Sequence, residues 1–171
     1  MQKPPKILIH SERIKKRVKK IASLINNDYR NKKPVLVGIL KGSFIFLADL
    51  IRNLKINIEC DFIFVSSYGE DKISSGKIKL IKSASLPLKD KDIIIVEDII
   101  DSGLTPYFVI NEIRRLSPKS IRFCVLLDKQ VPRKIPVKID YCGFKVPDKF
   151  IVGYGLDYAQ KYRNLPYIGY V

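Results

Sequence analysis

Between Pro34 and Leu127 the sequence alternates short, uninterrupted apolar runs with segments of helical periodicity, and this alternation restricts the fold more than any other feature. The apolar runs are Val35 to Leu40, Ile58 to Ser66, Asp92 to Val96 and Ile121 to Leu127. Phe44, Leu47, Ala48, Ile51 and Leu54 fall at helical spacing after the turn Lys41-Gly42-Ser43, and a second helix is predicted from Thr105 to Leu116, ended by Pro118. Strands that are apolar on both faces must be covered on both, so the expected class is α/β, a parallel sheet flanked by helices. Ser11 to Tyr29 is a further amphipathic helix, with Ser11 as its expected N-cap and Glu12 complementing the dipole. Ser67 to Lys77 is polar and glycine-bearing, a long loop of the kind that closes over a site, and an alternating strand follows at Ile78 to Ile81. After Val131 come four prolines and short strand-like runs at Ile139 to Phe144 and Ile151 to Tyr154, predicting an irregular cap and not further βα repeats.

Length and composition remove several alternatives. A chain of 171 residues is expected to form one domain, 1-171, with the cap drawn from about 131-171 and possibly the N-terminus. No window approaches the ~18 apolar residues of a spanning helix. Met1 to Ile9 lacks the apolar core of a secretory signal, so a cytoplasmic protein with no membrane partner is expected. His10 is the only histidine, which argues against Ser-His-Asp triads and multi-histidine metal sites, and three cysteines without CxxC spacing do not suggest a zinc or disulfide framework. The net charge is +15, but the first 33 residues, with 11 basic and 2 acidic side chains, hold more than half of it. A solvated basic helix face and a general enrichment in lysine account for this better than nucleic-acid binding.

Ligands of parallel α/β sheets bind at the carboxyl ends of the strands. There the chain carries Lys41-Gly42, Ser67-Tyr68-Gly69, Asp128-Lys129 and, most informative, D-I-I-I-V-E-D-I-I-D-S-G-L-T from Asp92 to Thr105. A buried strand ends in two carboxylates, and a turn of Asp, Ser, Gly and Thr opens a helix. Backbone N–H groups and hydroxyls at such a helix start favour phosphate. Carboxylates repel phosphate, so Glu97 and Asp98 need sugar hydroxyls or a divalent cation. A ribose phosphate meets both requirements. Neither a G-x-x-x-x-G-K-[ST] nor a G-x-G-x-x-G run is present, and a response-regulator receiver would place its acidic pair after its first strand.

V-E-D-I-I-D-S-G-L-T resembles the phosphoribosyl pyrophosphate (PRPP) signature of type I phosphoribosyltransferases. The wider chain is similar to the hypoxanthine-guanine family, through L-K-G-S-F, S-S-Y-G, L-L-D-K, P-D-K-F-I-V-G-Y-G-L-D-Y and Y-R-N-L-P-Y-I-G in that order. The resemblance implies purine salvage: transfer of phosphoribose from PRPP to hypoxanthine, and to guanine, with Mg²⁺, in a homo-oligomer, a dimer or tetramer. It implies that Glu97 and Asp98 hold the ribose hydroxyls and help retain Mg²⁺. Asp101, Ser102, Gly103, Leu104 and Thr105 would wrap the 5′-phosphate, with Asp101 also the catalytic acid or base near purine N7. Lys41-Gly42, at a cis non-proline peptide in the family, and Arg163 would meet the pyrophosphate, while Ser67 and Tyr68 belong to the closing loop. Lys129 would donate to the purine O6, Phe150 would stack, the Ile151 backbone would read the base edge, and Asp157 would support a second Mg²⁺. Lys149 and Arg133 are second-tier candidates. Leu104 departs from the polar or basic residue many relatives carry there. Two rivals are an RNA-binding regulator on the same fold and an enzyme preferring xanthine or guanine.

Overall fold

The structure, a computed structural model, describes residues 4–67 and 78–171. Among the described residues, nine strands and three helices follow the order β1 (Lys6–Ile9), α1 (Ser11–Asp28), β2 (Val35–Leu40), α2 (Phe44–Arg52), β3 (Glu59–Ser67), β4 (Ile78–Lys82), β5 (Asp92–Ile100), α3 (Leu104–Arg114), β6 (Ser120–Lys129), β7 (Tyr141–Val146), β8 (Ile151–Val152) and β9 (Ile168–Tyr170). Six strands form the main sheet in the order β4-β3-β2-β5-β6-β7, all parallel except the edge strand β4, and β1-β9-β8 form a small antiparallel sheet. The predicted α/β sheet with a smaller hood is therefore what the chain builds.

The period-2 geometry of the strands divides their side chains between two cores. Ile94 and Val96 of β5 pack with Leu36, Cys124 and the buried faces of α1 (Ile14, Val18, Ile21, Ile25) and α2 (Phe46, Leu47, Leu50). Ile93 and Ile95 point the other way, to Val35, Val37, Phe123, Val125 and to Val109 and Ile113 of α3. Each central strand is covered on both faces, which is why its sequence is apolar without alternation. Helix α1 is also tied down by polar contacts. Arg17 donates to the carbonyls of Gly143 and Cys142, both at 2.6 Å, and Asp28 accepts from the Tyr141 hydroxyl at 2.6 Å.

Three expectations need correction. The α1 N-cap position is held by His10, whose carbonyl accepts from the N–H groups of Arg13 and Ile14; Ser11 is already helical, because β1 runs to Ile9 and leaves one extended residue for the turn. Residues 141 to 146 are not part of an irregular cap. They form β7, paired in parallel with β6 from Cys124↔Tyr141 to Lys129↔Val146, although the crossover between the two carries no helix. Finally, β5 does not stop at Val96 but continues to Ile100, so Glu97 and Asp98 lie within the strand, still laddered to β6 at Glu97↔Val125 and Ile99↔Leu127.

Candidate active site

Pairing between β2 and β5 ends at Gly38↔Val96, and past that point the two chains part: β2 turns at Lys41 into α2 on one face, and β5 leads through the 101–103 turn into α3 on the other. This is the reversal of strand order at which open α/β sheets take ligands. A cleft of about 540 Å³ opens there, lined by Lys41, Gly42, Asp98, Asp101, Lys129, Phe150, Ile151, Asp157 and Arg163, together with Ser66, Lys149 and Gln160. Nine of the principal residues selected from sequence, and the second-tier Lys149, thus meet at one cavity. Glu97 is buried next to Asp98 in β5 and does not line the cleft, and residues 102–105 form the turn and helix start that follow the strand. Ser67 ends β3, whereas Tyr68 lies outside the described residues.

On the sheet side the backbone approaches the acids closely. The Leu40–Lys41 peptide is cis, and a Cβ on Gly42 would fall 1.8 Å from Oδ2 of Asp98, so only glycine fits. Glu97 and Asp98 are 7% and 8% exposed. Burial, the adjacent Asp98 charge and the hydrogen bond between the two side chains push Glu97 well above the ordinary carboxyl range. Burial also raises Asp98, partly offset by the bond from Glu97 and by the charge of Arg163. Oε2 of Glu97 is buried without a partner, an acceptor waiting for a donor or a cation.

The turn after β5 is shaped for close packing. Gly103 has φ +82°, and a Cβ there would come within 2.2 Å of the Ile135 carbonyl; Ser102 in turn accepts through its carbonyl from Lys134 and Ile135. Asp101 remains exposed beside Lys129, whose Nζ is 3.2 Å from Asp101 Oδ2 and 2.7 Å from Asp148 Oδ1. Burial opposes the Lys129 charge, but the hydrogen bonds it donates to Asp148 and Asp101 outweigh it and raise the ammonium above its ordinary range.

The hood supplies the opposite wall. Phe150 is 53% exposed, its ring meeting Tyr158 edge to face at 5.2 Å. Arg163 donates to the Gly155 carbonyl at 2.7 Å and pairs with Asp157 at 2.7 Å; the other Asp157 oxygen accepts from the Gln160 N–H. Gly155, at φ +102°, would meet the Gly42 carbonyl at 2.2 Å if it carried a Cβ, so the hood turn rests directly on the β2 turn. Lys149 lines the cleft with its ammonium 3.6 Å from the Tyr170 ring centre, and Arg133 is paired with Asp128. Sequence reasoning missed Asp148, Gln160 and Tyr158. The first was visible inside P-D-K-F, two residues past the strand that pairs with Lys129, but only the β6/β7 register turns that into proximity.

Among the described residues no three acidic, histidine or cysteine side chains converge on one cation point. The donors do suit Mg²⁺, which keeps several waters and takes one or two carboxylates together with substrate phosphates. Asp98 and Asp157 face the cleft, and Glu97, next to Asp98 in the strand, keeps one buried oxygen without a partner.

Comparison with known proteins agrees with this geometry. The family model for the phosphoribosyl transferase domain matches residues 6–159. The chain is 48% identical over 164 residues to the hypoxanthine-guanine phosphoribosyltransferase of Bacillus subtilis, covering 96% of this chain and 91% of that one. It is 42% identical over 173 residues to the hypoxanthine phosphoribosyltransferase of Escherichia coli K12, covering 100% and 97%. A crystal structure of a hypoxanthine-guanine phosphoribosyltransferase from Bacillus anthracis superposes with a TM-score of 0.93 at 46% identity, covering 99% of each chain. Identity of this order over nearly the whole chain, with a TM-score of 0.93 to a solved relative, means that the chain belongs to the hypoxanthine-guanine phosphoribosyltransferase family, the type I enzymes of purine salvage.

Proposed function

We propose that this cleft transfers the 5-phosphoribosyl group of PRPP to hypoxanthine, and to guanine, forming the bond between the purine and C1′ as the C1′–pyrophosphate bond breaks. The observation that carries the reading is the placement of Lys129 beside Asp101 in a cleft that the exposed Phe150 ring also lines. The turn and the start of α3 suit the 5′-phosphate: Ser102, Gly103, Leu104 and Thr105 bring backbone N–H groups and hydroxyls to a helix N-terminus. Glu97 and Asp98 accept from the ribose hydroxyls. Lys41, Gly42 and Arg163 border the pyrophosphate.

At the base, Phe150 stacks and the Ile151 backbone reads the purine edge. Lys129 donates to O6, where a 6-oxopurine offers an acceptor and adenine an amino donor that the ammonium cannot bond. Asp101 takes or returns the N7 proton as positive charge develops on the ribose ring and the carboxylates nearby stabilise it. Glu97 and Asp98 would help hold one Mg²⁺ and Asp157 would support a second, each together with substrate oxygens, and the bound metal would supply charge that neutralises the leaving pyrophosphate. We extend the reading to a single cytoplasmic domain acting as a homo-oligomer, dimer or tetramer; Phe44, Phe62 and Ile81 are large apolar side chains left in the open.

A Mg²⁺-dependent ultraviolet assay with PRPP and hypoxanthine, guanine, xanthine, adenine or uracil tests the reaction. Turnover of hypoxanthine and guanine with adenine and uracil inert is the expected result. Folded protein that binds PRPP yet turns over no base would overturn it and bring an RNA-binding role forward, whose signature is tight binding that weakens steeply with salt.

A further inference from the structure

Lys129 has two carboxylate partners, and only one of them can serve in the reaction proposed above. Its Nζ lies 3.2 Å from Asp101 and 2.7 Å from Asp148, and Lys129 is 14% exposed in its side chain against 70% for Asp148. The register explains the meeting. Lys129 is paired with Val146 across β6 and β7, and Asp148 is two residues further along, in the turn where the Lys149 N–H returns to the Pro147 carbonyl. Two residues beyond Asp148 comes Phe150. Asp148 therefore ties the turn that carries the stacking ring to the lysine that reads O6.

The Lys129 ammonium has three N–H donors, and Asp101 and Asp148 take one each, but an Asp101 bonded to Lys129 is a weaker proton acceptor. An Asp101 free to take the N7 proton gives up its bond to Lys129, and that donor turns to O6 of a 6-oxopurine. We infer that Asp148 is a positioning residue for this exchange: it holds Lys129 aimed at the base while Asp101 is released toward N7, and it fixes the Phe150 turn to the same point. The inference rests on the proposed base assignment but adds a residue and a division of labour between two carboxylates. Lys149, the other cation of this turn, sits over the Tyr170 ring at 3.6 Å and is engaged there.

Removing the Asp148 charge weakens recognition of the base more than anything else. For Asp148→Asn the expected outcome is a KM for hypoxanthine raised about tenfold, the loss of one charge-assisted hydrogen bond, with kcat changed less than about threefold and the KM for PRPP unaltered. Asp148→Glu, which retains the carboxylate, recovers most of the loss. In a Lys129→Gln background the further change Asp148→Asn has little additional effect on the KM for hypoxanthine, because Asp148 acts through the lysine. An unchanged KM for hypoxanthine in Asp148→Asn overturns the inference, as does an equal rise in both KM values, which marks a general loosening of the hood, or full additivity with Lys129→Gln. Failure of the underlying assignment looks different: the unsubstituted protein itself would not turn over hypoxanthine.

Discussion

The two walls of the cleft are built by different means. The sheet wall is a set of strand ends held in register by continuous parallel ladders, with its acids buried and its glycine at 42 packed onto the Asp98 carboxylate. The hood wall has strands of two to four residues and a run of turns in which Tyr154, Ala159, Gln160 and Tyr162 all adopt positive φ. Such conformations persist in non-glycine residues only where neighbours enforce them. Here the enforcing contacts are side-chain bonds: Arg163 to the Gly155 carbonyl, Asp157 to Arg163, Tyr154 to Asp49. The ladder fixes positions to the accuracy a reacting centre needs, while the hood can adjust around a base. The sheet wall should therefore govern kcat, and the hood wall the affinity for the purine.

The largest effect expected from this division is at Asp101. Asp101→Asn removes a proton acceptor and leaves the backbone of the 101–105 turn intact, so on the proposed role kcat should fall by roughly 10²–10⁴, the usual contribution of general acid–base catalysis. PRPP affinity, measured by quenching or calorimetry, should stay within a few-fold. Equal losses in kcat and PRPP affinity would mean that Asp101 mainly organises the turn.

The buried pair Glu97 and Asp98 gives an intermediate effect, read as stability. Glu97 is held well above its ordinary value by burial and by Asp98, so the folded chain binds this proton more tightly than the unfolded one. Below about pH 4.5 the group is protonated in both states; as pH rises above that, the unfolded chain ionises first and is favoured. Glu97→Gln keeps a donor for Asp98 without the cost of ionisation. Without substrate, its Tm should exceed the parent's at pH 7, by about 2–4 °C for each kcal/mol relieved. The gap should close as pH falls toward 4.5, while affinity for PRPP drops. A gap independent of pH would show that Glu97 is not the titrating group.

These contrasts also explain how legible the two walls are in the sequence. V-E-D-I-I-D-S-G-L-T carries its chemistry in contiguous residues, because one strand, one turn and one helix start form half a site; its apolar strand also announces the sheet. Lys41-Gly42 is equally local. Asp148 beside Lys129 and Tyr158 against Phe150 depend on register and on turns with no periodicity, so spacing alone could not pair them. Strands β1 and β9 escaped notice because pairing between the two ends of a chain, Lys6↔Tyr170 and Ile7↔Gly169, has no local signature at all. The β7 segment, Y-C-G-F-K-V, carries a glycine and a lysine and follows a proline-bearing crossover. Its membership of the main sheet comes from tertiary pairing, with Arg17 of α1 covering two of its carbonyls.

The smallest effect tests the hood directly. Tyr154 is 6% exposed, has φ 52°, and donates its hydroxyl to Asp49 of α2 at 2.5 Å, the bond that anchors the turn bearing Gly155. Burial and the bond to Asp49 hold this hydroxyl protonated far above the ordinary tyrosine range, so the contact persists at any working pH. Tyr154→Phe keeps the ring in its pocket and deletes only the oxygen; Asp49 retains Arg52 as a partner. The loss of one neutral-donor hydrogen bond is worth about 1 kcal/mol, or roughly 2–4 °C in Tm for a chain of this size. If the hood only adjusts around the base, the KM for hypoxanthine rises by no more than about the fivefold that 1 kcal/mol corresponds to, and kcat holds. A tenfold fall in kcat would show that the Gly155 turn, pressed on the Gly42 carbonyl, shares in fixing the reacting geometry, and the separation between a rigid sheet wall and an adaptable hood would give way.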